Sequence, residues 1–342
     1  MDLIYTNAKR EDEGALLEYD LDLAFGSGEN DFTCKVDYNN HCCGEGCYIY
    51  IEGTEYGGII SEIEVDTDLK EITYHGTTWQ GMLGEKVIVP LKSGETSASG
   101  VTLKTTDAAG ASLVNSYLVL SGEANAVIQF ILNRIGLAGL FRSSGNSGIT
   151  ISNYQFERYV DAYAGIIDML KGCNAKLETV FCEGVVNVSA APVVDYSQDE
   201  QFDSDVTPLD IQKNVRPINH LICLGQGDLA EREVIHLYAD KNGNISKTQT
   251  LKGVDEVTET YDYGSAKSAQ DLEANGIKKL KELRSTDKVK IDFDSNNLTY
   301  DIGDIVGAKD QLTGISAAEA ISKKIVTIKN GETTISYEVG EK

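Results

Sequence analysis

The chain has 342 residues, 41% of them hydrophobic and 8% aromatic, and its 54 Asp and Glu against 30 Lys and Arg give a formal net charge of −24. That composition is one of folded protein rather than disorder, and the length suits two or three domains with real cores. The charge argues against a nucleic-acid ligand, because phosphate contacts need clustered cations.

No run of about 18 or more apolar residues offers a membrane span. The opening Met1 to Asn7 lacks the basic and apolar regions of a signal peptide, so synthesis in a cytoplasm and no membrane insertion are expected. Seven cysteines (Cys34, Cys42, Cys43, Cys47, Cys173, Cys182, Cys223) without a secretion signal are expected as thiols.

Residues 17–25 alternate apolar and acidic, which is strand behaviour, and 26–30 turn the chain. Phe32, Cys34 and Val36 share one face of the next strand; 47–51, 58–65 and 72–74 supply three more. Several short strands in the first 90 residues or so predict a small barrel or a tightly curled sheet. Small and polar residues dominate 90–112, a loop and domain boundary.

The pattern then turns to α/β. Ser121 is positioned to cap a helix over 123–135 with Ala124, Val127, Ile128, Ile131, Leu132 and Ile135 on one stripe, and Gly136 stops it. A strand at 148–152, a helix at 161–170 ended by Gly172, and a hairpin of 175–182 with 185–190 turning at Glu183-Gly184 follow. An acidic stretch to about residue 205 reads as a connector. Two strands, 217–225 and 233–238, precede an amphipathic helix at about 265–284, whose apolar Leu272, Ile277, Leu280 and Leu283 face one way while cations gather at its C-terminal end.

One pattern occurs twice. Asp37-Tyr38-Asn39-Asn40 is followed by Gly46, a strand and Gly58; Asp294-Ser295-Asn296-Asn297 is followed by Gly303, a strand and Gly314, with nine positions from Asp to the first Gly in both. Residues that tolerate positive φ mark chain reversals, so two related β-meanders are expected, closed by strands at 71–76 and 333–340. Two copies are too few for a solenoid or a propeller.

Chemistry-bearing motifs are absent: the sequence has no GxSxG, HExxH, GxxxxGK[ST] or strand-linked GxGxxG. His220 and His236 fall within alternating strands and read as structural. His41, Cys42, Cys43 and Cys47 form one zinc-candidate cluster, but a structural zinc takes four ligands, usually from two paired elements, and no second element of that kind is present. The cysteines read better as small buried residues at a barrel rim. Catalytic residues, cofactor and metal are therefore not expected, and the structural weight falls on Trp79, Gly46, Gly58, Gly303 and Gly314.

The opening 4–8, the segment 30–60, the motif Tyr74-His75-Gly76-Thr77-Thr78-Trp79-Gln80-Gly81-Met82-Leu83 and the ending 303–316 resemble the hub proteins of phage tail tips and baseplates, prophage and tail-like bacteriocin versions included. The resemblance covers most of the chain. It implies an α+β, mainly β fold of two related tube-type β-barrels with an α/β domain inserted between them, at 1–92, 93–195 and 196–342.

It further implies a homotrimer whose six barrels form a pseudo-six-fold ring in the virion, joining tail tube or distal tail ring proteins above to spike or tip proteins below. In that ring, acidity would keep a passing genome from sticking. A peptidoglycan hydrolase associated with the tail is the alternative, although the chain ends too soon after its last strand for the lytic extension such hubs often carry. Trp79 is expected to anchor the first barrel or its junction with the insert.

Overall fold

The computed structural model describes the chain except at residues 27, 108–109, 198–200, 204–208, 267, 285–287, 292–299 and 341–342; of 201–203, 209–210 and 288–291 it describes the backbone alone. The fold is α+β and mainly β, with four α-helices among the described residues. The chain forms two compact units: Met1–Leu209 with Lys290–Ala308 and Ala318–Lys342, and Asp210–Val289 with Lys309–Ala317.

The first unit is organised by an eleven-stranded sheet. Its N-terminal strands are β1 (Leu3–Thr6), β2 (Asp12–Leu16), β3 (Asp20–Gly26), β4 (Asp31–Asp37), β5 (Tyr48–Tyr50), β6 (Gly57–Asp66) and β7 (Glu71–Thr78). The alternation of β3 and β4 decides which face is buried. Leu21, Leu23, Phe25, Phe32, Cys34 and Val36 are all at most 4% exposed, while Asp22, Asp31 and Lys35 between them are exposed.

β3 pairs β4 on one side and, antiparallel on the other, the long strand Ser316–Lys329, with Leu23 opposite Val326 and Leu21 opposite Ile328. Glu332–Val339 closes a hairpin onto that strand. The buried face of β3 is thus continued by Val326 and Ile328 of the C-terminal strand.

This pairing changes the expectation of two separate meanders. The C-terminal strands share one sheet with the N-terminal ones, and the pairing path ends at β2 and at Gln201–Asp203 without closing on itself among the described residues. Within the acidic connector, Gln201–Asp203 is a sheet edge, and Asp195 forms a parallel bridge with Ile305.

The insert follows α1 (Trp79–Gly84), a one-and-a-half-turn helix that the sequence reading missed; Thr78 caps it by accepting the Gly81 N–H. α2 (Ala124–Arg134) and α3 (Ala162–Lys171) lie where periodicity placed them. The cap of α2 is Glu123 rather than Ser121. The Glu123 carboxylate accepts the Ala126 N–H at 3.0 Å, whereas the Ser121 hydroxyl accepts the Asn153 N–H at 2.8 Å from the neighbouring strand.

The expected hairpin is Ala175–Cys182 with Val185–Pro192, and its two-residue turn has positive φ at both Glu183 and Gly184. Buried side chains of α2, α3 and this hairpin form one continuous core that also takes in Tyr48, Tyr50 and Trp79 from the sheet side.

In the second unit, His220–Leu224 pairs antiparallel with Val234–Ala239, as read, and parallel with Thr258–Asp262, which the sequence did not reveal. The amphipathic helix is α4 (Ala269–Arg284), and it packs on this small sheet through Leu272 and Leu280. Gly276 permits the approach: a Cβ there would lie 2.5 Å from the Cys223 Sγ.

Candidate functional site

Residues of β3, β4, the loop between them and Ser316–Lys329 line a shallow concavity of about 410 Å³. Asp20, Asp22, Glu29 and Asp31 supply four carboxylates to it, against Lys35 and Lys329; Thr33, Thr327 and Ile325 lie between. Lys35 is engaged by Glu71 at 2.8 Å, and Lys329 lies 3.8 Å from Asp20. Burial pushes the Asp22 carboxyl above its ordinary value, against the pull of Lys329. No nucleophile and base converge within this lining. With four carboxylates against two lysines it is a net-anionic wall, suited to repelling polyanions.

Behind it, a buried lysine ties the C-terminal strand to α1. Lys324 occupies a core-facing register opposite Tyr337 and Phe25, with its Nζ 2.7 Å from Glu55 Oε1; the other Glu55 oxygen accepts Gln80 Nε2–H at 2.9 Å. Burial alone would depress the Lys324 ammonium, but Glu55 holds it above its ordinary value. Beside Gln80, Trp79 is fully buried, stacked on Phe181 of the insert hairpin at 5.0 Å and edge-on to Tyr48 of β5 at 5.4 Å. The single tryptophan thus joins sheet to insert.

A second buried lysine joins the insert to the last strands. Lys176 Nζ lies 2.7 Å from Asp301 and 2.9 Å from Asp304, and Asp304, 1% exposed, also accepts the N–H groups of Val194 at 2.9 Å and Asp301 at 3.0 Å. Gly303 makes the turn, with φ +98° and its missing Cβ 3.2 Å from Lys176 Cβ. Lys176, Asp301, Asp304, Lys324 and Glu55 went unnoticed in the sequence. Charges that meet across more than a hundred residues carry no local signature.

The other marked glycines serve different ends. Gly46 turns the chain at φ +79° and donates its N–H to the Ile60 carbonyl. Gly58 lies inside β6, where a Cβ would collide with the Thr77 carbonyl. Gly314 lies at φ +68° in a turn where its N–H donates to the Asp310 carbonyl at 2.9 Å. Asp37 caps the short turn Tyr38–Asn40 by accepting the Asn39 N–H, while Asp294 to Asn297 lie outside the described residues, so the repeated pattern can be compared only through its glycines.

Among the zinc candidates, Cys42 and Cys43 have their Sγ atoms 3.2 Å apart, the exposed His41 is bound through Nδ1 to the Tyr74 hydroxyl at 3.0 Å, and Cys47 Sγ accepts the Gly44 N–H at 3.3 Å. Among the described residues no group of three His, Cys, Asp or Glu could hold a metal ion. In the second unit, His220 links Glu256 (2.6 Å) to His236 (2.8 Å), a relay that alternation alone did not disclose.

No family model and no curated protein matches the sequence. Solved structures do. The prophage tail protein gp18 of Listeria monocytogenes is 13% identical, with 100% of this chain and 95% of that one covered at a TM-score of 0.58. The 43 kDa tail protein of prophage MuSo2 from Shewanella oneidensis is 9% identical over 99% and 97%, at 0.54. A tail protein of Neisseria meningitidis is 13% identical over 99% and 96%, at 0.52. The resemblance read from the motifs therefore holds as a shared fold along the whole chain.

Proposed function

We propose, from a fold shared end to end with prophage tail proteins, that this chain is a structural hub of a phage tail or tail-like particle. The observation that carries the reading is coverage: 95–97% of each of the three tail proteins is matched by 99–100% of this chain. A generic β module embedded in a larger protein would give partial coverage.

In this reading the hub is a homotrimer in the virion. Residues 1–92 and 196–342, whose strands share the central sheet, are read as two tube-type β halves flanking an α/β insertion at 93–195, and three chains offer six such halves to a six-fold tube. Tail tube or distal tail ring proteins sit on one side of the ring and spike or tip proteins on the other. The carboxylate-rich concavity of β3, β4 and Ser316–Lys329 lines the channel, where it repels the DNA backbone. The chain has no catalytic part in this role.

Light scattering on the purified protein, together with a particle map, tests the proposal. Three copies per ring are expected, with the β3 face toward the axis. A monomeric or dimeric copy number inside intact particles would overturn it.

A further inference from the structure

The loop between β4 and β5 brings reactive groups together that the hub role does not use. Cys42 and Cys43 adjoin in sequence and touch through sulfur at 3.2 Å, and both thiols are free. Their backbone is pinned from below: the N–H groups of Cys42 and Cys43 both point at the Tyr74 hydroxyl, at 3.2 and 3.5 Å. The two sulfurs differ in access, since Cys42 is half-buried while Cys43 is 1% exposed. Behind them Cys47 and Cys34 are buried too.

We propose that Cys42 and Cys43 form a thiol–disulfide exchange site, with Cys42 as the attacking thiol and Cys43 as the resolving one, that takes small disulfides of the glutathione class. The Cys42 thiolate attacks one sulfur of the small disulfide, forming a mixed disulfide and expelling one small thiolate, which takes up the Cys42 proton. Cys43 then gives up its proton and attacks Cys42 Sγ. The second small thiol leaves, so two protein thiols and one small disulfide become one protein disulfide and two small thiols.

The electrostatics agree with this division of labour. A hydrogen bond from Cys43 holds the Cys42 thiol below its ordinary value, and the same bond together with burial pushes Cys43 up. Adjacent Cα atoms are about 3.8 Å apart, nearer than in ordinary disulfides, so the ring is strained and readily reduced, as an exchange site requires.

The loop is positioned to transmit its state. Gly46 and Cys47 exchange backbone hydrogen bonds with Ile60 of β6, so a covalent ring at 42–43 stiffens the entry to β5. If the hub reading also holds, the pair stays reduced during assembly in the host and oxidises once the particle is released. That step rests on the proposed function; the exchange site itself does not.

The test uses full-length protein carrying Cys173→Ser and Cys182→Ser, which removes the other accessible thiols, treated with oxidised glutathione and read by intact mass and non-reducing peptide mapping. The expected product is lighter by about two hydrogens, with the bond between Cys42 and Cys43. Adding Cys43→Ser should trap one glutathione on Cys42, and adding Cys42→Ser should abolish both products. A bond from Cys42 to Cys47 or Cys34, or a Cys43→Ser protein that takes up no glutathione while still folded by circular dichroism, would overturn the proposal.

Discussion

Replacing Asp304 by alanine tests how the last strands are held. Its carboxylate is 1% exposed and accepts from Lys176 Nζ and from the Val194 and Asp301 N–H groups, so truncation removes three partners at once. Lys176, whose side chain is 5% exposed, keeps only Asp301, which is itself 45% exposed. Breaking a buried pair from one side costs about 3–5 kcal/mol. At an m value near 2–3 kcal/mol/M, the urea midpoint of the first unit should fall by roughly 1–2.5 M.

Trp79 is the single tryptophan and lies in that unit, so its fluorescence reports this transition without the second unit. Asp304→Asn keeps an acceptor for Val194 and should lose about half as much. A loss below about 1 kcal/mol for Asp304→Ala would refute the view that this charge cluster fastens the C-terminal strands.

Trp79→Ala should cost about 3–5 kcal/mol by calorimetry, but Trp79→Phe about 1.5 or less, because the indole N–H has no hydrogen-bond partner to lose among the described residues. Gly276→Ala should destabilise the second unit, since overpacking costs about 1–3 kcal/mol against at most about 1 regained from helix propensity; adding Cys223→Ala should restore part of the amide-exchange protection in α4, with Leu237 Cδ1 still 2.8 Å from the new Cβ. Burial would raise the Glu123 carboxyl, but hydrogen bonds from Ser147, Ala126 and Asn125 outweigh it and hold it low. A depressed carboxyl contributes stability that is complete above its unfolded value of about 4.3 and lost as pH falls through the folded one, so Glu123→Gln should flatten the acid limb of a stability–pH curve below about pH 4.

What the sequence disclosed was mostly local. Alternation along 17–36 identified the buried face of β3 and β4, the apolar stripe identified α2, and Glu183-Gly184 identified a two-residue turn. Each rests on a repeat or a turn a few residues long. Pairing partners were not legible in that way. Nothing in Leu21 or Leu23 says that Ile328 and Val326 lie opposite, and the same alternation would serve a closed barrel or an open sheet.

The buried lysines went unnoticed for a related reason. Lys324 interrupts an apolar alternation with a charge, and only the partner Glu55, far away in sequence, makes that position a core position. The glycines divided likewise: Gly46, Gly303 and Gly314 advertise positive φ, whereas Gly58 is required by a crossing backbone that no local pattern encodes.

The pairing of β3 with Ser316–Lys329 also decides how the two units relate along the chain. Most of the second unit, Asp210–Val289, interrupts the first in sequence, so the central sheet cannot be completed until the chain has passed through it and returned. Until then β3 is an edge, with Leu21, Leu23 and Phe25 on one face and a row of unpaired backbone groups along its side. Asp20 and Asp22 on the other face of the same strand protect that edge, because carboxylates in register repel a second copy approaching in the same way. The concave acidic surface proposed above to line a channel is built partly from these side chains. Protection of an exposed edge gives the acidity of β3 a use that does not depend on that proposal.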